Sequence, residues 1–188
     1  MESRGQTNFD VEKPTDLIET GRTDTRPDGD GRRNPLTSIF WVPTVEFPTL
    51  NVVTQISDHV MLYHGGRPFE YTLYDPVEKK LEVKVLGPDI LKGHHLQVPI
   101  KGNWWTCGRL IEYEGLNDYE YCILAEVFGP GFDVYDFRWV NRSMVLECAS
   151  NVQALLLPMV NKNAQIADEK TKAMEDFDSY YDENKSKS

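Results

Sequence analysis

Little in this sequence points to nucleic acid, membrane or zinc. Of its 188 residues only three are cysteine, Cys107, Cys122 and Cys148. They are widely spaced and form no CxxC pair, so neither a zinc knuckle nor a disulfide framework is expected. Reduced, mostly buried thiols in a cytosolic protein are the plain reading. Positive charge is thin: 20 Lys and Arg stand against 30 Asp and Glu, a net charge of −10. The longest basic cluster is Arg32-Arg33, beside Asp28 and Asp30. Phosphate binding needs a concentrated basic surface, so no nucleic-acid partner is expected. No apolar run approaches the ~20 residues of a membrane helix. Residues 1–7 are polar and lack the apolar stretch of a signal peptide. No membrane association and a cytoplasmic location are therefore expected. Motifs for covalent chemistry are also missing. There is no GxSxG string, and Cys107 has no evident His or Asn partner. The "GPGF" at 129–132 leads into a strand rather than a helix, so it is no phosphate cradle.

Aromatic residues are plentiful, with nine Tyr, eight Phe and four Trp. They fall within a run of short, β-branched segments. "TSIFWVPT" (37–44), "LNVVTQI" leading into "SDHVMLYH", "FEYTLYD" (69–75) and "KLEVKVLG" (80–87) come first, the last two joined by the turn "PVEK". "HLQVPI", "WWTCGRLIEY" and "YEYCILAEVF" follow. Regular strands with Gly/Pro punctuation predict an all-β sandwich or barrel. "KLEVKVL" alternates strictly, which predicts Leu81, Val83 and Val85 inward and Lys80, Glu82 and Lys84 outward. One helix is expected over 143–157, opened by Ser143 and closed by Pro158. The ends differ in character. Residues 1–13 are polar and expected to be disordered, 24–35 read as a mobile Gly/Pro/Asp loop, and the chain turns acidic after 163. Residues 168–188 carry seven acidic and four basic residues, so a frayed helix or disordered tail is expected. The single folded domain should span 14–162.

Four strings occur in a telling order: "SDHVMLYHGG", "VLGPDI", "QVPIKGNWW" and "GPGFDVYDF" (129–137). They resemble the SDExWHxxxG, VLG-D, QxVPxGxWF and APGFDFxDF strings of a cupin-like family of small jelly-roll proteins, once catalogued as a domain of unknown function. "IETGRT" (18–23) is similar to that family's N-terminal strand. The match covers roughly 15–158. It implies a double-stranded β-helix, or jelly roll, that buries a pocket between two sheets. It also implies a homodimer, in which the strand around 18–23 could cross to a partner sheet. The resemblance assigns no reaction.

Broader cupins hold a metal through two His, a Glu and a further His. With Gly66 fixing the register, those places fall on Val53, Gln55, His59 and Trp105. Val53 and Trp105 cannot bind such an ion, so no metal and no other cofactor is expected. His64 has the opposite parity and should point away. The same parity turns Val53, Gln55, His59, Met61 and Tyr63 inward, and groups Trp105, Cys107 and Arg109 on one face. In "YEYCILAEV", either Tyr119, Tyr121 and Ile123 or Cys122, Leu124 and Glu126 face the pocket. His59 is the expected catalytic acid/base group, since an imidazole gives or takes a proton near neutrality. Gln55, Met61, Tyr63, Trp105, Arg109 and Tyr121 are the expected substrate contacts, with Arg109 placed for a carboxylate or enolate oxygen. Burial should lower the His59 pKa unless a carboxylate such as Glu126 lies beside it. Such a mostly apolar cavity suits a small, partly apolar organic molecule. A metal-independent isomerase, epimerase or cyclase is one reading, and a non-catalytic binding or scaffold protein is the alternative. A metal-dependent dioxygenase or isomerase is disfavoured by the ligand count.

Overall fold

The computed structural model describes residues 34–133 and 136–161. The expected disordered ends, the strand at 18–23 and most of the loop at 24–35 lie outside those residues. Among the described residues, nine strands form two antiparallel sheets. In chain order they are β1 (Thr37–Trp41), β2 (Thr49–Gln55), β3 (Asp58–Gly66), β4 (Phe69–Asp75) and β5 (Lys80–Leu86), then β6 (Gln97–Ile100), β7 (Trp105–Leu110), β8 (Cys122–Gly129) and β9 (Phe137–Trp139). One sheet runs β1-β8-β3-β6 and the other β5-β4-β7-β2-β9. A bridge between Leu86 and His95 joins them along the β5/β6 side. Among the described strands, β1 and β9 are the edges on the opposite side.

The strand run that reads as one element, "LNVVTQISDHVMLYH", is two. Strand β2 belongs to the five-stranded sheet and β3 to the four-stranded one, with the chain crossing over at Ile56-Ser57. The crossover is two residues long, so the parity survives it. Val53 lies opposite Trp139 and Gln55 opposite Phe137, while His59 lies opposite Phe128 and Met61 opposite Glu126.

The interior between the sheets is filled by Met61, Phe69, Tyr71, Leu73, Leu124 and Ile100, none more than 2% exposed. A second core lies on the far face of the five-stranded sheet. There Val52, Tyr74, Trp105, Cys107 and Val140 pack under the C-terminal helices through Val145, Val152 and Leu156. The five-stranded sheet thus buries both faces, which corrects two expectations. On β5 the alternation is real but its sense is reversed. Leu86 pairs with Phe69 toward the barrel, whereas Leu81 packs beneath the helices and Val83 is 48% exposed. On β7, Trp105, Cys107 and Arg109 do share a face, but it is the outer one. Thr106, Gly108 and Leu110 lie opposite Leu73, Tyr71 and Phe69 on the barrel side.

The expected single helix is broken into α1 (Arg142–Leu146) and α2 (Ser150–Leu156). Asn141, rather than Ser143, caps α1: its Oδ1 accepts from the Met144 amide at 3.0 Å. Gln153 reaches back across the break and donates to the carbonyls of Leu146 and Cys148, at 3.0 and 2.8 Å. These are carbonyls that a continuous helix would have satisfied itself.

Candidate active site

The "TQISDH" crossover is held rigid from below. The Asn103 amide donates to the Gln55 carbonyl at 2.6 Å, and the Gly102 amide donates to Asp58 Oδ1 at 2.7 Å. A Cβ on Gly102 would stand 2.0 Å from the Ile56 carbonyl oxygen, so only glycine allows the "KGN" turn to sit this close. At the other end of β3, Gly66 adopts φ +87 beside the Tyr121 carbonyl, after a bulge at His64. The turn motifs thus clamp both ends of the strand that carries His59.

His59 sits on the barrel side, stacked on Phe128 with ring centroids 4.9 Å apart and planes 27° apart. Its Nδ1 lies 3.2 Å from the Ser57 carbonyl. A carbonyl can only accept, so Nδ1 carries the proton and Nε2 presents its lone pair. Nε2 faces Glu126 Oε1 at 3.5 Å. The open choice on β8 is therefore settled: Cys122, Leu124 and Glu126 face in, and Tyr121 does not. Tyr121 bridges to Thr44 and its ring meets Tyr119.

Burial raises the Glu126 carboxyl to about 7. Burial also lowers His59, outweighing the opposing pull of the Ser57 carbonyl and of Asp58. A carboxylate does lie beside His59, but its own proton is held to near neutrality, so it does not lift the imidazole. Burial thus favours the neutral form of both groups. Glu126 retains 18% of its side-chain surface, against 4% for His59. Of the two, Glu126 is the more exposed, and it lies opposite Ile39 of β1.

Two buried polar atoms have no partner among the described residues: Gln55 Oε1 and the Tyr71 hydroxyl. Both belong to inward-facing side chains. Burial raises Tyr71 well above the usual phenol value, with a contribution from the charge of Glu126, so the hydroxyl stays protonated. Ser57 donates to Asp136 Oδ2 at 3.2 Å, which ties the "GPGFDVYDF" segment to the crossover. The expected contacts divide as follows. Gln55 and Met61 face inward, Met61 as a packed core residue. Tyr63 also faces inward, but its hydroxyl donates to the Gly66 carbonyl at 2.6 Å. Trp105 lies under the helices. Arg109 is on the outer face, where Nε donates to Glu70 Oε1 at 2.9 Å. His64 points outward, edge-on to Phe40.

The expected open cavity is largely occupied by side chains. Two hollows lie outside it, one of about 620 Å³ between Leu62, His64 and the His94–Gln97 segment and one of about 340 Å³ beside Asp75 and Trp104. Sequence reasoning missed Tyr71 and Phe128. The period of "FEYTLYD" would have placed Phe69, Tyr71 and Leu73 on one face. The residues present do not fit a cupin metal. Trp105 faces the wrong core, and no group of three or more His, Cys, Asp or Glu side chains gathers among the described residues. No helix among them is long and apolar enough to cross a membrane.

A two-sheet antiparallel barrel with an inward-facing histidine and carboxyl on neighbouring strands is a jelly roll of the cupin kind. This chain belongs to the family described as Cupin superfamily (DUF985), whose model matches residues 8–140. No curated protein matches the sequence. Among solved structures, it is similar to a hypothetical protein from Leishmania major at 21% identity and TM-score 0.62, covering 77% of this chain and 88% of that one. It is also similar to a protein from Shewanella oneidensis at 17% identity and TM-score 0.60, covering 77% and 85%. A more distant likeness is to a dTDP sugar isomerase from Desulfovibrio desulfuricans, at 14% identity and TM-score 0.45, covering 60% and 69%.

Proposed function

We propose that the barrel moves a proton within a small, partly apolar organic molecule, as an isomerase, epimerase or cyclase would, with His59 as base and Glu126 as acid. The observation that carries this reading is the 3.5 Å approach of His59 Nε2 to the Glu126 carboxyl on the neighbouring strand, which burial raises to about 7. A neutral Nε2 can take a proton from a carbon next to a carbonyl. The Glu126 carboxyl can give one to the oxygen or carbon that gains the electron pair, so the site ends with the same number of protons. No step needs a metal or a redox partner. A carboxyl and an imidazole that burial holds neutral, side by side in a barrel interior, can serve as acid and base.

The test is metabolite profiling of a strain lacking the gene. A precursor should accumulate, and wild-type protein should clear it while His59→Ala does not. An unchanged profile in the deletion strain favours the alternative, a non-catalytic binder.

The pair also makes a stability prediction. A glutamate loses its proton near 4.5 when unfolded and holds it to about 7 here. The folded state therefore binds more protons between those values. The stability tied to this proton is full below pH 4.5 and is lost as pH rises through 7, a swing of about 3 kcal/mol. His59, being depressed, acts in the opposite sense and loses stability as pH falls below 6.5. Glu126→Gln keeps the shape and removes the charge. It should match wild type in urea denaturation at pH 4 and exceed it by about 2–3 kcal/mol at pH 8. A variant less stable than wild type at pH 8 would show that the carboxylate is stabilised by a partner rather than strained by burial.

A further inference from the structure

The string "GPGFDVYDF" (129–137) is one of the four that mark the family, and the acid/base reading gives it no task. In the structure it reaches His59 from two sides. Its first half is pinned to the entry of β1. The Gly131 amide donates to the Asn34 carbonyl and the Phe132 amide to Thr37 Oγ1, both at 2.8 Å. The Phe132 ring lies edge-on to Phe128, with centroids 5.5 Å apart, and Phe128 is the ring on which the His59 imidazole stacks. The end of the string reaches the other side. Asp136 is 1% exposed, and its Oδ2 accepts from Ser57 Oγ at 3.2 Å, across 79 positions of sequence. Ser57 is the residue whose carbonyl faces His59 Nδ1.

The two nitrogens of a neutral imidazole compete for one proton. A carbonyl at Nδ1 favours Nδ1–H, since the other tautomer would set one lone pair against another. Glu126 pulls the other way, because a carboxylate oxygen beside Nε2 favours Nε2–H. Only the Nδ1–H form leaves a lone pair on the nitrogen that faces the Glu126 carboxyl. The outcome depends on how firmly the Ser57 carbonyl is held. Ser57 lies between β2 and β3 rather than within either, so its position depends on contacts such as the one to Asp136. Both residues are buried, so water does not readily replace that bond once it is lost.

We propose that Asp136 is a positioning residue: through Ser57 it holds the carbonyl that keeps the His59 proton on Nδ1, and so leaves Nε2 free to act as base. The consequence for catalysis rests on the His59–Glu126 reading; the tautomer itself does not.

Proton–nitrogen correlation spectra of the imidazole, recorded on the full-length protein, tell the two tautomers apart without any ligand. At about pH 7, where burial keeps His59 neutral, the wild-type ring should carry its proton on Nδ1. Ser57→Ala removes the hydroxyl and keeps the carbonyl, and Asp136→Ala removes the acceptor. Each should move the tautomer ratio toward Nε2–H by roughly 3–10-fold, the worth of one neutral hydrogen bond. Asp136→Asn keeps an oxygen acceptor and should stay at the wild-type ratio. Phe132→Ala loosens the same segment at its other end and should leave the ratio alone. An unmoved ratio in Ser57→Ala overturns the proposal, even if Asp136→Ala fails to fold. So does a shift in Phe132→Ala as large as that in Ser57→Ala, which would mark general loosening. The acid/base reading falls separately, and only if His59→Ala clears the accumulated precursor as well as wild type does.

Discussion

His59→Ala is expected to slow turnover of the natural substrate by about 10²–10⁴-fold, the usual worth of a positioned general base. The fold should survive. The side chain lost is polar, it faces the pocket wall, and its one backbone bond is to Ser57 next door. His64→Ala is the matched control. It lies on the same strand, at the bulge and pointing outward, edge-on to the Phe40 ring. Its effect should be small. The wild-type pH profile should fall on both sides. The acid limb arises as His59 gains a proton at a pH below its solution value, and the alkaline limb, near 7, as Glu126 loses its own. These limbs belong to the pair rather than to either residue alone. If His64→Ala is the damaging substitution, or if a rate survives both changes intact, the base has been misassigned.

Trp105→Ala is expected to cost about 3–5 kcal/mol of stability, the range for deleting a large buried aromatic. Read from the sequence alone, this residue lines the pocket, and its loss should then weaken ligand binding. The structure assigns it a different task. Trp105 is 7% exposed and packs against Tyr74 with centroids 5.4 Å apart, in the core beneath Val145, Val152 and Leu156. Its removal leaves a void between the sheet and the C-terminal helices, which have five and seven residues and little strength of their own. Urea denaturation should show the loss. At a temperature where the variant is still folded, clearance of the accumulated precursor should match wild type. A stable variant that no longer clears it would return Trp105 to the pocket.

The buried thiols are expected to be unreactive for a related reason. Burial pushes both Cys107 and Cys122 up to about 12, so the thiolate is scarce at neutral pH. Cys107 belongs to the helix-covered core and Cys122 to the barrel interior. Thiol titration of the native protein should therefore be slow at both and complete only on unfolding.

By itself the sequence determined the fold class and most strand positions, because strand spacing, turn residues and the family strings are local features. It also determined the inward parity of Gln55, His59 and Met61, since period-2 alternation persists through a two-residue crossover. It could not determine which side of a sheet faces the barrel when both sides are apolar. Strands β5 and β7 alternate as read, yet Trp105, Arg109 and Leu81 lie on the far face, because helices cover that face too and give its residues the same apolar signature. Nor could it choose between the two parities of β8. That choice is made by pairing across strands: His59 opposite Phe128 and Met61 opposite Glu126 fix the register and bring Glu126 to Nε2. The approach is between side chains 67 positions apart, and the Glu126 proton is held by burial alone. Both are properties of the packed barrel, where water is excluded by residues remote in the chain, and no short string of sequence carries them.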